Sequence, residues 1–358
     1  MKQFSLRLLL LLPILLGMVL TSWIVDPDHV RDPEGYERGI ARLLLDGKPV
    51  TNITQADEAG ILQYYFADLT AIPDVMVIGS SRTKLLRADS FPGQTFFNAS
   101  LSGASMTDYL AITNLVESRG GLPRTMVIEL STFLLSDDMV SVWPQFEVQQ
   151  AALEAHLFDG TPVPPMEEPS APTLESYSRF LQPDYFQLSF FTLLDSRLGD
   201  AQGSEYHVLQ KGEEPTGKTY LADGSEIFPP QRRKNLGKDS VTALAIDAGQ
   251  YSAGIPKAIV AERQRVLEAY LTYLQSRGVK VILFLAPYHP VSYEIMITNR
   301  YRIIVDIQAY YEELAARLGL PLVGSFNPSD LGITKDVYYD ATHITPEALA
   351  GIFAGVTP

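Results

Sequence analysis

The sequence predicts an α/β protein: a three-layer α/β/α sandwich on a parallel five-stranded sheet, preceded by an N-terminal membrane helix and interrupted by a cap-like insertion. Two observations carry this reading. Three short runs, residues 74–80 (DVMVIGS), 125–130 (TMVIEL) and 279–286 (VKVILFLA), are almost wholly apolar and rich in β-branched residues. That is the pattern of strands buried on both faces of a parallel sheet. Stretches with helical apolar spacing lie between and after them, so strand and helix alternate, as they do when crossover helices link parallel strands.

The elements follow in order. Lys2 and Arg7 precede an apolar run over 8–25, close to the lower limit of about 17 residues for a bilayer-crossing helix. Pro13 and Gly17 are tolerated in such helices, and Trp23 stands where an interfacial aromatic belongs. Asp26 and Asp28 follow. Basic residues before the run and acidic ones after it predict a single-pass inner-membrane anchor with the remainder in the periplasm. Secretion after signal cleavage is the alternative, but Trp23, Ile24 and Val25 stand where cleavage needs small residues. Residues 26–73 read as a helical linker or collar, with helical spacing over 34–45 and 55–69. The core domain comprises 74–139 and 256–358. Its strands are expected at 74–80, 95–98, 125–130, 279–286 and 320–323. Its helices are expected at 105–118, 256–277 and 300–318, with a last one opening at Thr345; Pro256 and Pro346 suit first-turn positions. The sheet is then flavodoxin-like, with right-handed crossovers. Residues 140–255 have a different texture: Pro162, Pro164, Pro165, Pro169 and Pro172 crowd together, and only 187–198 reads clearly as helix. A stretch that long points to an insertion capping the core.

Composition narrows the chemistry. The chain has 358 residues, a formal net charge of −14, five histidines and no cysteine. Disulfides, thiolate metal sites and a cysteine nucleophile are excluded. No basic stripe supports nucleic-acid binding. No metal-ligand spacing appears, and no cofactor is expected. An acidic surface keeps a chain soluble, and it is also compatible with a neutral polysaccharide or a lipid-linked partner.

In open α/β sheets, ligands bind beyond the carboxyl ends of the strands. Three segments converge there. The first strand ends in Gly79-Ser80-Ser81-Arg82, the second in Asn98-Ala99-Ser100-Leu101-Ser102-Gly103, and the last loop reads Tyr339-Asp340-Ala341-Thr342-His343. A serine hydroxyl is a weak nucleophile and needs a base. An Asp three residues before a His can take the proton of one ring nitrogen and leave the other free as that base. Ser81, His343 and Asp340 are therefore the candidate catalytic residues. Either serine motif or Asp-x-x-His pair also occurs as plain turn or cap chemistry; their conjunction at strand ends is the informative feature. Arg82 either contacts an anionic substrate or caps the sheet edge. His289, after the fourth strand, either binds substrate, competes for the base role or is a structural loop histidine. Arg232, Arg233 and Lys234 read as a solvated basic face.

Gly79-Ser80-Ser81 together with Asp340-Ala341-Thr342-His343 resembles the SGNH, or GDSL-like, hydrolase superfamily, with Ser80 where that family usually has Asp. The Gly-Ser-Ser-Arg form resembles its membrane-anchored branch, which includes alginate-type O-acetyltransferases and D-alanyl transfer proteins. The resemblance covers about 74–134 and 256–351. It implies Ser81 as nucleophile, His343 as base and Asp340 as its orienter, with Gly103 supplying a backbone N–H to the oxyanion. The family's Gly-x-Asn-Asp block is missing; Glu129-Leu130-Ser131-Thr132 stands there, which makes Asn98 the substitute donor. The implied activity is acyl transfer to, or ester hydrolysis on, an exported or cell-surface polysaccharide, with a membrane acyltransferase as acyl donor. A non-catalytic assembly protein of the same fold is the alternative.

Overall fold

The computed structural model describes residues 2–27, 29–53, 57–136, 143, 146–163, 177–197, 206–251, 255–299 and 301–356; the side chains of 2–11, 33–34 and 195–197 fall outside that description. Its strands are β1 (Val50–Ile53), β2 (Val75–Ile78), β3 (Phe96–Asn98), β4 (Thr125–Glu129), β5 (His207–Val208), β6 (Lys218–Tyr220), β7 (Glu226–Ile227), β8 (Lys280–Leu285) and β9 (Leu322–Gly324). The α-helices are α1 (Lys2–Val25), α2 (Pro33–Leu45), α3 (Glu58–Asp68), α4 (Met106–Glu117), α5 (Glu147–Asp159), α6 (Pro183–Arg197), α7 (Pro230–Arg233), α8 (Asp239–Tyr251), α9 (Ala261–Ser276), α10 (Pro290–Thr298), α11 (Ile303–Leu318) and α12 (Pro346–Phe353).

The protein is α/β. Five strands form a parallel sheet in the order β3-β2-β4-β8-β9. All five lie where the apolar runs place them. Side chains alternate across a strand, so each strand feeds two separate cores. Met76, Ile78, Met126, Ile128 and Leu283 join one core with residues of α2, α3, α4, α9 and α11. Val75, Val77, Val127, Ile282 and Phe284 join the other with Leu85, Leu86, Phe91 and α12. Each such side chain contributes about 1.5–3 kcal/mol by its burial, which is why these runs tolerate almost no polar residue. The first strand of the sheet, β2, lies inside it between β3 and β4. The crevice at its carboxyl end is the point where the strand order reverses, the usual ligand position in such sheets.

The rest departs from the expected outline. Residues 26–73 are not helical throughout: β1 pairs antiparallel with β5 and β6, and a second, four-stranded sheet runs β5-β1-β6-β7. One strand comes from the collar and three from the insertion, so the two segments share a sheet. The signal was too short to read. β1 has four residues, Asn52 sits at φ +59°, and the pairing register shifts between Val50 and Ile53. Helix α3 belongs to the core, since Tyr65 stacks on Phe97 with ring centroids 3.8 Å apart. The insertion also carries α5, α7 and α8. Helix α9 starts at Ala261, after an extended Val260, and not at Pro256. Helix α10 was not anticipated; Pro290 opens it. The N-terminal segment is helical over Lys2–Val25. Among the described residues no helix is long and apolar enough to cross a membrane; the side chains through residue 11, with which the apolar run begins, lie outside them.

Candidate active site

Where β2 ends, the chain turns around a buried carboxyl group. Glu129, fully buried at the end of β4, accepts the Ser80 N–H at 2.6 Å, the Ser80 hydroxyl at 3.1 Å and the Ser131 hydroxyl at 2.7 Å. The Thr83 N–H and hydroxyl both donate to the Ser80 carbonyl, at 3.1 and 2.9 Å. This approach requires glycine at 79: a Cβ there would lie 2.2 Å from Thr83 Oγ1 and 2.8 Å from Glu129 Oε2. Ser80 is thereby consumed in the turn. Ser81, half-buried, faces the other way.

Ser81 Oγ lies 2.9 Å from His343 Nε2. On the far side of the ring, His343 Nδ1 lies 2.8 and 3.0 Å from the two oxygens of Asp340. The loop closes on itself, because Asp340 Oδ1 also accepts the N–H groups of Thr342 (2.9 Å) and His343 (3.0 Å), an Asx-type turn. Thr345 then caps α12 by accepting the Ala348 N–H. A carboxylate at Nδ1 draws the ring proton there, so Nε2 presents its lone pair to the Ser81 hydroxyl. Burial by itself would raise the Asp340 pKa. The hydrogen bond and charge of His343, then the charge of Arg232, outweigh it and hold the carboxyl well below its ordinary range.

Arg232, on α7 of the insertion, completes this arrangement. Its Nε donates to Asp340 Oδ2 at 3.0 Å, and its Nη2 contacts the same oxygen and lies 2.8 Å from His343 Nδ1. The guanidinium lies 3.7 Å over the Phe228 ring, and Phe228 packs edge-on against His343 with centroids 5.5 Å apart. The basic cluster is therefore divided: Arg232 faces the triad, Arg233 pairs with Glu214 at 3.1 Å, and Lys234 is exposed.

Of the other expected site residues, Gly103 adopts φ +67° in the loop after β3, a conformation open chiefly to glycine. Ser102 just before it is anchored on Glu58, through its N–H at 2.8 Å and its hydroxyl at 3.0 Å. Among the described residues the N–H groups of Ser81 and Gly103 make no hydrogen bond. Asn98 is not available as an oxyanion donor. Both its amide protons are used, on the carbonyls of Thr83 (2.8 Å) and Leu86 (2.9 Å). Arg82 takes the sheet-edge position: it is buried, its Nη2 donates to the Ala286 carbonyl at the end of β8, and it lies 4.2 Å over the Tyr288 ring. His289 is structural. It is fully buried, its Nδ1 accepts the Val291 N–H at 3.3 Å as the cap of α10, and burial, with a smaller effect of Lys335, lowers its pKa. Sequence reasoning missed Arg232, Phe228 and Glu129. Only Glu129 had a signal, an acid at the end of an otherwise apolar strand. Among the described residues no group of three or more acids and histidines could hold a metal ion.

No family model and no curated protein matches this chain.

Proposed function

We propose that this chain is a serine acyltransferase or carbohydrate esterase of SGNH type, acting outside the cytoplasm on an exported or cell-surface polysaccharide. The observation that carries the proposal is the line Ser81 Oγ–His343–Asp340, with 2.9 Å on one side of the ring and 2.8 Å on the other. The strand order, read within the parallel sheet as second-first-third-fourth-fifth, supports the flavodoxin-like form of the sandwich. The basic-before, acidic-after pattern around 8–25 supports a membrane anchor.

The chemistry runs in two halves. Ser81 Oγ attacks the acyl carbonyl carbon while its proton passes to His343 Nε2, and Asp340 stabilises the resulting imidazolium. The N–H groups of Ser81 and Gly103 are the donors for the oxyanion that forms. Collapse breaks the bond to the leaving group, which takes the proton from His343, and leaves acyl-Ser81. A sugar hydroxyl, or water in an esterase, then gives its proton to His343 and attacks the acyl carbon, and the bond to Ser81 Oγ breaks as His343 returns the proton to it. A membrane acyltransferase is the proposed donor. A non-catalytic assembly role is the second reading, favoured by Glu129 standing where the family has its Asn-bearing block.

A serine-directed fluorophosphonate tests the two readings on the full chain in detergent. Labelling of the unsubstituted chain should be lost in Ser81→Ala and His343→Ala, by at least about 10⁴-fold in rate, because triad members act as a unit. Ser80→Ala should slow it less than about tenfold, the cost of one hydrogen bond. No labelling of the unsubstituted chain, or unchanged labelling in Ser81→Ala, would refute the enzyme reading.

A further inference from the structure

Helix α6 lies in the insertion, yet it packs against α1. Ser22 near the end of α1 and Asp26 just beyond it are buried, whereas residues 12–17 are exposed throughout. On α6 the buried positions are Tyr185 and Ser189. Two small residues let helices approach closely, and the Tyr185 hydroxyl donates to Asp26 Oδ1 at 2.8 Å. Trp23 closes the junction from α1, with its ring 5.0 Å from that of Phe180. Arg31 lies over Trp23 at 5.5 Å and Arg179 over Tyr185 at 5.3 Å.

Beyond this junction α6 presents apolar side chains to the outside. Phe190 is 43 % exposed, Phe191 52 % and Leu194 37 %. Single exposed hydrophobes are ordinary, but these share one short helix, and α1, against which that helix packs, also exposes apolar side chains, among them Leu16 and Leu20. At 15 residues, α6 is about 22 Å long, too short for a hydrocarbon core of about 30 Å. It meets α1 beside Trp23, the level at which aromatic rings and cations gather in a bilayer.

We infer that α6 is an interfacial membrane helix, seated in the outer leaflet beside α1 with Phe190, Phe191 and Leu194 among the acyl chains. The inference rests on the reading of α1 as an anchor. Its occupant is lipid, because α6 and the anchor helix it packs against both expose apolar side chains and their junction carries the Trp and Arg side chains of a headgroup boundary. This part of the insertion then grips the membrane and does not cap the core. Helices of this kind sink about 5–10 Å below the headgroups.

The absence of cysteine makes the test direct. Single substitutions Phe190→Cys, Leu194→Cys, Leu16→Cys and Leu244→Cys are placed in the full chain and labelled with an environment-sensitive fluorophore. The protein is then reconstituted in phosphatidylcholine–phosphatidylglycerol vesicles, with or without lipid carrying a nitroxide near the top of the acyl chain. Leu244, on α8, is 51 % exposed and serves as the aqueous reference. The nitroxide lipid should quench the label at 190 and 194 about twofold, as expected for that depth, and leave 244 unchanged. Quenching at 16 without quenching at 190 and 194 overturns the inference and leaves the anchor standing. No quenching at 16 overturns the anchor reading, and this inference with it. A label at 190 shielded from aqueous iodide but untouched by the nitroxide lipid means that protein covers the face, and this also overturns the inference.

Discussion

Replacing Arg232 with Met separates the orientation of the triad from its chemistry. The substitution keeps an apolar stem over Phe228 and removes both nitrogen contacts to Asp340 Oδ2, together with the approach of Nη2 to His343 Nδ1. Asp340 still holds His343 Nδ1 and the N–H groups of Thr342 and His343, so the triad remains assembled. A buried hydrogen bond to a charged group is worth about 1.5–3 kcal/mol. The Arg232 side chain is 35 % exposed and that of Asp340 21 %; solvent screening reduces the pair to roughly 1–2 kcal/mol in total. If all of that is felt in the transition state, turnover falls about 5–30-fold. Asp340→Asn is expected to cost far more, about 10⁴-fold, because the amide favours the wrong tautomer of the base. Lys at 232 restores the charge without the paired N–H contacts and should recover only part of the loss. The assay is single-turnover release from an aryl acetate by the full chain in detergent, with denaturant melts as a control for folding. A rate equal to that of the unsubstituted chain, or one as low as Asp340→Asn, would refute the orienting role assigned to Arg232.

Glu129→Gln turns half of a buried acceptor into a donor facing the Ser80 N–H or the Ser80 and Ser131 hydroxyls. It should lower unfolding free energy by about 2–3 kcal/mol in urea melts, and an unchanged midpoint would contradict the fastening role. Gly79→Ala forces a Cβ to within 2.2 Å of Thr83 Oγ1, and overpacking of this kind costs about 1–3 kcal/mol. Its fluorophosphonate rate should fall and recover in part with Thr83→Ala, and additive effects of the two changes would count against the clash. Acid stability reports Glu58, whose burial would raise its pKa but whose partners Lys84 and Lys218 hold it well below its ordinary 4.5. Its stabilisation is complete above 4.5 and is lost as pH falls below it, since the unfolded chain then binds a proton the folded chain does not. The loss is about 1.4 kcal/mol per pH unit, and Glu58→Gln should flatten the stability-versus-pH slope below 4.5 by that amount.

What could be read in the sequence depended on range. The inner parallel strands β2, β4 and β8 are legible because each is an apolar run bounded by polar turns, and burial on both faces leaves no other pattern available to them, whereas the edge strand β9 is only half-buried. Asp340 and His343 were legible because their geometry is closed within four residues. Arg232 was not, because its partner lies 108 residues away, and a charge in a basic cluster carries no mark of what it meets. The second sheet escapes for a related reason: strands of two to four residues are too short to show a period of two, and β1 finds its partners β5 and β6 far along the chain. Asn98 illustrates the converse. A polar residue at the end of a buried strand suggests a site donor, yet its amide is spent on two carbonyls of the turn after β2. Glu129 marks the place of a missing motif in the sequence, but a buried acid in an apolar strand demands donors nearby, and the Ser80 and Ser131 side chains supply them.

The same principle explains how two adjacent serines of identical chemistry come to differ. Ser80 and Ser81 are equivalent as amino acids; the carboxyl groups they face are not. Glu129 lies beneath the turn, fully buried, and takes the Ser80 N–H and hydroxyl into fixed bonds, leaving that hydroxyl no freedom to attack. Asp340 lies above, partly exposed, and reaches Ser81 only through the imidazole of His343. One acid therefore fixes the backbone, and the other orients the base. Removing the lower one should disturb both folding and labelling, because Ser81 inherits its direction from Ser80. Removing the upper one should leave the fold nearly intact and abolish the chemistry, since its bonds lie within its own loop and to Arg232. The contrast depends on which face of the turn each carboxyl group occupies, and Gly79 makes it possible by letting β2 come close enough to Glu129 for the lower bonds to form.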